Sequence, residues 1–325
     1  MRSLASFTIL LAASFLMGAR PAPDSESNKS ERPPFSVGEK LVYNARVWKG
    51  LSFLGLTVGE ATLQVKNSDR AAWPGAYRII ARAKGGAFGY KARVTVQSYV
   101  DRDTLLPVHA TVTQRGSEVQ DKKLVFANDE ALYVKKKHCK LSKTCVTQEH
   151  FVTEKISRGF LRGYDRVRRH CRLRRCEARK HYIWRIRDRH QVDGPTYDML
   201  SVIYICRTLD LPIKGKGQEL RIVDGHDQWD VTIRAIAREK IEVPAGKFRC
   251  LRIEISPKPA EKGTKVRKEF RGLFGIHGDI QIWIDEKSRI PVRIRGVVPF
   301  GIDLNMEVSL AKKTLPQLAS RTSGS

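Results

Sequence analysis

Clustered arginines are the feature of this sequence that most directly suggests chemistry. Positions 135–189 are dense in Lys and Arg, with Phe, Tyr and Trp residues interspersed. A guanidinium group donates paired, planar hydrogen bonds that fit phosphate and carboxylate groups. Aromatic rings among such groups suit a membrane headgroup region or stacking on bases. We predict an anion-binding group made of Arg168, Arg169, Arg172, Arg174 and Arg175. The alternative interpretation is a solvated, charged loop.

Four of the six cysteines lie in the same basic stretch, as two closely spaced pairs. The pairs are Cys139 with Cys145 and Cys171 with Cys176. In an oxidising compartment such spacings favour two local disulfides. The alternative is a zinc site formed by these thiolates with His138 or His170, although the spacing is wider than the Cys-x2-Cys of most structural zinc sites. We predict disulfides and no metal, and we expect Cys206 and Cys250 to be buried or paired with each other.

The remaining polar motifs do not form a catalytic signature. His226 lies in the segment Val-Asp-Gly-His-Asp at 223–227, which resembles a loop of ligands but which we interpret as a turn, since Asp-Gly is typical of turns. The Gly-rich segment 272–278 lacks the strand–loop–helix context of a phosphate-binding loop and favours an open connection. The sequence has no Gly-x-Ser-x-Gly and no His-Glu-x-x-His motif. We therefore predict a protein that is not an enzyme and needs no cofactor.

The elements that would position these residues are β-strands. Leu41, Tyr43 and Ala45 alternate with Val42 and Asn44, and a period of two predicts strands. Two such runs close together predict a hairpin over 35–66. The same pattern recurs over 77–84, 93–100, 105–115, 118–126, 131–137, 220–222, 231–238, 251–255, 280–284, 290–294 and 302–310. We predict a large antiparallel sheet that buries its apolar face by curling around itself, a helix or a ligand.

Two segments depart from the strand pattern. Over 196–209 apolar residues recur at helical spacing after Gly-Pro, which predicts one helix with Thr196 as its N-cap. Alternation is poor over 135–190, and we interpret this basic stretch as an insertion between two halves of the sheet. The predicted fold class is mainly β: a large curled antiparallel sheet, an open barrel or spiral, with one packing helix and a basic Cys-containing insertion.

Charge and the N-terminal sequence predict where the protein acts. The 325 residues include 60 Lys and Arg against 34 Asp and Glu, a net charge of +26 that favours anionic partners. Residues 1–19 have a positive start, a short apolar stretch and small residues near Ala19, which is typical of a signal peptide; an uncleaved membrane segment is the alternative. We predict a disordered linker over 20–34, a single β domain over 35–312 and a disordered tail over 313–325.

Several segments, taken in order, resemble the bacterial family called domain of unknown function 3108. They read PFSVGEKLVYNARV, LTVGEATLQV, YVDRDTLLPVHATVTQRG, YDMLSVIYICRTLDL, VPAGKFRCLRIE and IWIDEKSRIPVRI, and they cover most of 35–310. The basic stretch 135–189 is longer than the family pattern. The family has no established activity. The resemblance implies an exported envelope protein with an open, curled sheet, similar in strand pattern to lipoprotein carriers and spiral-sheet envelope-integrity proteins.

The predicted function is that of a non-enzymatic periplasmic protein that binds a lipid or another anionic envelope component. Peripheral membrane contact and an acidic envelope polymer are both compatible with its charge. Export argues against nucleic acid as the partner. The alternative is a structural or protein-interaction module of the periplasm with no small-molecule ligand. The sequence predicts no particular oligomeric state.

Overall fold

The computed structural model of the chain describes residues 33–50, 55–87, 89–127, 129–138, 182–260, 269–299 and 303–316. Within these residues almost all regular structure is β, and fifteen strands form one continuous sheet. The predicted curled, mainly β fold is confirmed. The predicted signal segment and most of the predicted linker and basic insertion lie outside the described residues.

The strands follow one another closely along the chain. They are β1 (Lys40–Trp48), β2 (Leu56–Asn67), β3 (Tyr77–Ala87), β4 (Tyr90–Val100), β5 (Pro107–Gly116), β6 (Gln120–Ala127), β7 (Glu130–His138), β8 (Tyr182–Gln191), β9 (Thr196–Tyr197), β10 (Gln218–Val223), β11 (Gln228–Val243), β12 (Gly246–Pro259), β13 (His277–Asp285), β14 (Pro291–Pro299) and β15 (Asp303–Thr314). A short helix, α1 (Ser201–Ile205), and one 3-10 turn (Leu273–Gly275) complete the description.

The sheet consists of two meanders joined by the first and last strands. From β1 to β8 each strand pairs with the next, and the same holds from β9 to β15. Pairing of β1 with β15 runs antiparallel from Lys40 opposite Thr314 to Trp48 opposite Asn305. The two meanders therefore meet in the middle of the sheet, and β8 and β9 lie at its two ends.

Alternation along each strand decides which face is buried. In β1 the side chains of Leu41, Tyr43, Ala45 and Val47 are buried, whereas the residues that alternate with them are partly or fully exposed. The equivalent face of the second meander contributes Val231 and Ile233, which are fully buried. Because the sheet curls, these two apolar faces and α1 form one continuous core. We call this side the inner face of the sheet.

The outer face carries a second, smaller apolar cluster near β4 to β8. It contains Trp73, Tyr99, Val125 and Leu132, all of them buried. Trp73 belongs to the connection between β2 and β3, so this connection covers the outer face locally. The ring of His109 stacks on Trp73 with centroids 5.2 Å apart. Burial lowers the pKa of His109 to about 3, because the charged imidazole would lose its hydration there.

The ends of the sheet meet at the turn between β10 and β11. His226 Nδ1 lies 2.8 Å from a carboxylate oxygen of Asp188 in β8, and the His226 ring contacts Tyr133 of β7 at 4.6 Å. Gly225 adopts a φ of +114°, and a Cβ at this position would lie 2.9 Å from the Tyr133 ring. In the described part of the chain, β8 and β9 at the two ends of the sheet do not pair with each other. Side-chain contacts join these ends instead.

Two sequence expectations need correction. The predicted helix over 196–209 is only five residues long, because 196–197 pair with β10 as a strand and the chain turns at Asp198. The end of the supposed insertion is also regular, since β8 pairs with β7 along its whole length. Its partly buried Trp184 and Ile186 alternate with the exposed Arg185 and Arg187. Charged residues on the exposed face conceal that period of two.

Candidate functional site

An apolar cavity lies between α1 and the inner face of the sheet. Its empty space is about 780 Å3, part of it open to solvent, and about 60 Å3 of this is available to the centre of a water molecule. Both meanders contribute to the walls, which are lined by Tyr43, Ala61, Leu63, Met199, Val202, Ile203, Cys206, Ile222, Val231, Ile233, Ile255, Phe270, Gly272, Leu273, Phe274, Ile276, Ile280, Ile282, Ile294 and Val308. A water needs roughly 10–15 Å3 of such space, so the walls enclose room for a few water-sized groups.

One wall of the cavity is the connection before β13. Phe270, Leu273, Phe274 and Ile276 all face the cavity from this connection. Phe274 has a φ of 60°, a conformation that is rare for a bulky residue and is seen mainly in tight turns. The Gly272 N–H donates to the Ile276 carbonyl at 2.7 Å and closes the turn. The Gly-rich segment 272–278, which the sequence favoured as an open connection, therefore forms part of the site.

The start of α1 is held by a buried carboxylate. Asp198 accepts hydrogen bonds from the backbone N–H groups of Leu200 (2.7 Å) and Ser201 (3.0 Å). Its other oxygen accepts the hydroxyl of Ser98, on β4, at 2.5 Å. Burial raises the pKa of Asp198, although these hydrogen bonds act in the opposite direction. Asp198, rather than the predicted Thr196, thus satisfies the first turn and fixes it to the sheet.

The end of α1 is held by a buried ion pair. Arg207 donates from both terminal nitrogens to the carboxylate of Glu39, at 2.6 and 2.8 Å, and both side chains are almost fully buried. Its Nε donates to the Arg289 carbonyl at 2.9 Å, and its guanidinium lies 5.3 Å from the centre of the Phe35 ring. Burial opposes the charge, but Glu39 outweighs it and raises the pKa of Arg207. This network joins α1 to β1 and to the turn between β13 and β14.

The walls offer apolar contact and little reactive chemistry. Cys206 is the thiol that lines the cavity, and burial raises its pKa to about 12, so it stays protonated at neutral pH. The Tyr43 hydroxyl donates to the Pro291 carbonyl at 2.8 Å, and burial raises its pKa as well. A group that binds here would gain dispersion contacts and shelter from water.

The residues predicted from sequence to form a site are not brought together in the described structure. Arg168, Arg169, Arg172, Arg174 and Arg175 lie outside the described residues, as do Cys139, Cys145, Cys171 and Cys176. The anion-binding group, the two disulfides and the zinc alternative therefore stay predictions. Cys206 and Cys250 are both buried as free thiols, which agrees with one of the two expectations for them.

The predicted turn at 223–227 is confirmed. The Asp224 carboxylate accepts the N–H groups of His226 (3.0 Å) and Asp227 (3.1 Å) and the indole N–H of Trp229 (3.1 Å). The sequence did not indicate that this turn joins the two ends of the sheet. Among the described residues no group of three or more His, Cys, Asp or Glu side chains is arranged to hold a metal ion.

The sequence also failed to identify the cavity. Its lining residues are strand positions with ordinary alternation, so nothing distinguishes them from residues of a filled core. The sequence did contain one indirect signal, because two segments interrupt the strand alternation. These are the Gly-rich segment before β13 and the short helix, and both border the cavity. None of the described helices is long and apolar enough to cross a membrane.

The fold and site define a class: a single curled antiparallel sheet that closes over a short helix and leaves an apolar cavity beside it. The profile of the family described as "Protein of unknown function (DUF3108)" matches residues 42–150 and 164–309. The chain belongs to this family, as the segments that resemble it, taken in order along the chain, predicted. Comparison with curated proteins finds no match.

Three solved structures are similar along most of the chain. A β-barrel-like protein of domain of unknown function DUF1849 from Brucella abortus is 9% identical, with a TM-score of 0.44, and the match covers 87% of this chain and 99% of that one. A candidate lipoprotein from Parabacteroides distasonis is 11% identical, with a TM-score of 0.29 and coverages of 87% and 99%. A candidate exported protein with a YmcC-like fold from Bacteroides fragilis is 8% identical, with a TM-score of 0.25 and coverages of 87% and 98%.

Proposed function

We propose that this protein is an exported, non-enzymatic binding protein that takes up the apolar part of an amphiphile beside α1. The observation that carries the proposal is the cavity itself, whose walls are almost entirely apolar and which is partly open. Ligand sites are typically concave, largely apolar and already formed in the free protein. Asp198 and Arg207 hold the two ends of α1, so this wall is fixed before a ligand arrives.

Binding, rather than catalysis, fits the groups that line the cavity. Catalysis of proton transfer needs an acid or base whose pKa lies near the working pH. The cavity presents Cys206 and Tyr43, and burial moves the pKa of each away from neutrality. The described lining includes no carboxylate, imidazole or amine. An apolar chain would meet matching surface and no reactive group.

The N-terminal sequence supports the proposed location. Its short positive start and apolar stretch are typical of export, and the resulting compartment would be the periplasm. There the strongly basic chain would meet anionic lipids and acidic envelope polymers. Contact with the membrane surface would then be peripheral.

Native mass spectrometry tests this proposal most directly. The mature protein would be purified from its own envelope without detergent and sprayed from a volatile buffer. We expect a second population whose extra mass corresponds to a lipid or another amphiphile. A bare polypeptide mass in every preparation, together with no binding of added single-chain lipids, would favour the structural or protein-interaction module instead.

A cavity-filling variant tests whether the ligand occupies this cavity. Ala61→Leu places three additional carbon atoms at the wall, and we expect it to reduce lipid occupancy at least several-fold. Ala83→Leu is the matched control, because Ala83 pairs with Ala61 on the same face but does not line the cavity. Thermal unfolding of both variants checks that each is folded. Equal occupancy in Ala61→Leu and Ala83→Leu would place the ligand elsewhere.

A further inference from the structure

The three walls of the cavity differ in how firmly they are held. The strands of the sheet are joined to their neighbours by backbone ladders. Helix α1 is fixed at its start by Asp198 and at its end by Arg207. The third wall is the connection before β13, and we call its residues 269–276 the flap. The backbone-to-backbone hydrogen bonds that the flap makes with described residues all lie within the flap itself.

Both ends of the flap are packed into the protein. Near its start, the Phe270 ring meets the Trp229 ring edge to face, with centroids 5.4 Å apart. At its end, Ile276 fills the space beside Gly296, where a Cβ would collide with the Ile276 side chain. Phe270 and Ile276 are accordingly almost fully buried. Movement of the flap would therefore be confined to the residues between them.

A carboxylate–imidazole contact brings the two ends of the flap together. The Glu269 Oε2 atom lies 3.1 Å from His277 Nδ1, so the first residue of the flap meets the first residue of β13. Asp303, at the start of β15, is a second carboxylate near this ring, 3.7 Å from Nε2. Compact surface loops whose ends lie close together are frequently functional. The flap leaves and rejoins the protein at a narrow base, about which its middle can move.

The middle of the flap is held less firmly than its ends. Leu273 and Phe274 are only partly buried, although both face the cavity. Phe274 has a φ of 60°, and Gly275 follows with a φ of +83°. A left-handed conformation is strained for a bulky residue and persists only while the surrounding structure imposes it. A change in the shape of the flap would release this strain.

The opening of the cavity lies beside the middle of the flap. Lining residues that are still partly exposed mark where the cavity meets solvent. They are Met199, Val202, Ile255, Gly272, Leu273, Phe274 and Ile294. These residues belong to α1 and the turn before it, to β12, to β14 and to the flap. The flap is joined to the sheet by no ladder, so widening the opening disturbs the fewest contacts if the flap moves.

We propose that the flap is the gate of the cavity and that its middle, 272–275, swings away from α1 to admit the chain of the amphiphile. This inference rests on the proposed function and specifies how the ligand enters and leaves. In the closed flap, Leu273 and Phe274 cover the bound chain. Because the same residues stand in the way of uptake and of release, opening of the flap controls both rates and leaves the affinity unchanged.

Gly275→Ala tests the gate because it strains the closed flap without filling occupied space. Apart from its chain neighbours, no described atom lies within 4 Å of a Cβ at this position. Binding of cis-parinaric acid, a fatty acid whose chain fluoresces in apolar surroundings, would be followed by stopped flow on the mature protein. We expect the association and dissociation rate constants both to rise roughly fivefold or more, the factor that corresponds to left-handed strain in an L-residue. The dissociation constant should stay close to that of the wild type.

Gly246→Ala is the matched control. Gly246 begins β12 with a φ of +125°, has equally open surroundings and does not line the cavity. This substitution should cost at least as much strain and leave both rate constants unchanged. Alkylation of Cys206 adds a measurement that needs no ligand, because this thiol lines the cavity. Gly275→Ala should accelerate it relative to Cys250, and Gly246→Ala should not.

The outcomes separate the gate from the proposed function. Unchanged rate constants in Gly275→Ala, or equal acceleration in Gly246→Ala, overturn the gate and leave the cavity as a binding site. A weaker affinity that comes from faster dissociation alone also overturns the gate, since the flap is then only a wall that contacts the ligand. Absence of binding by the wild type, or binding that Ala61→Leu does not reduce, overturns the proposed function and the gate with it.

Discussion

The two ends of α1 differ in how each accommodates a buried ionisable side chain. Both ends place an ionisable side chain in the core beside the cavity. At the end of the helix, Arg207 meets the charge of Glu39 in a two-bonded ion pair. At the start, Asp198 accepts hydrogen bonds from a hydroxyl and from backbone N–H groups, and among the described residues it forms no ion pair. An ion pair that loses one member leaves an uncompensated buried charge, whereas a buried carboxylate without a cation can be neutralised by protonation and is therefore sensitive to pH.

The largest effect should follow from removing one member of the ion pair. Arg207→Met leaves Glu39 as an uncompensated buried charge, which costs about 3–5 kcal/mol of unfolding free energy. Chemical denaturation measures the loss. The double variant Glu39→Leu with Arg207→Met should recover a large part of it, since no buried charge is then left. A double variant as unstable as the single one would show that packing, not charge, accounts for the loss.

Truncation at the start of α1 should have a smaller effect. Asp198→Ala removes the acceptor of the Leu200 and Ser201 N–H groups and of the Ser98 hydroxyl. Hydrogen bonds of this kind contribute about 1 kcal/mol each, so we expect a loss of roughly 2–3 kcal/mol by denaturation. Asp279→Ala, at an exposed position of β13, should change the stability by less than about 0.5 kcal/mol.

The pH dependence of stability should distinguish the two ends further. Burial raises the pKa of Asp198 in the folded protein, so the unfolded chain gives up this proton at lower pH. The contribution of Asp198 to stability is therefore greatest below about pH 4, the usual pKa of the unfolded group, and falls as pH rises through the folded pKa. The unfolding free energy of the wild type, measured relative to that of Asp198→Asn, should therefore decrease as the pH rises from 4. A difference that is constant with pH would contradict the raised pKa.

The smallest expected effect concerns local opening near Arg207. Arg207→Lys keeps the charge but loses the paired geometry of the guanidinium. We expect slow alkylation of the neighbouring Cys206 to accelerate several-fold, as measured by peptide mapping. Cys250 is the internal control, because it is buried in β12 and its rate should not change. Equal acceleration at both thiols would indicate global rather than local opening.

Much of the fold could be predicted because its signals are local. Alternation over β1, β2, β11 and β13 is regular, and each strand pairs with a sequence neighbour through most of the sheet. β8 was missed because arginines occupy the exposed positions that alternate with Trp184 and Ile186, so composition obscured the period of two. The helix was overestimated because apolar spacing over 196–209 is helical, whereas Asp198 turns the chain toward Ser98.

The candidate site was less predictable because its determinants are distant in sequence. Glu39 and Arg207 are 168 residues apart, and neither has a neighbour that indicates the other. Whether Leu63 or Ile233 faces a filled core or a cavity depends on how the two meanders pack, which strand alternation does not encode.

Pairing of β1 with β15 has a consequence for how the chain reaches its final shape. The strands come from opposite ends of the folded region, with Lys40 opposite Thr314, so this contact is formed across a very long loop of chain. Long-range pairing of this kind slows folding. Until β15 is available for pairing, β1 and β14 each present an unpaired edge that can join another chain. An emerging chain of this family would therefore benefit from a chaperone that covers β1, and truncation before β15 should yield aggregation rather than a smaller folded unit.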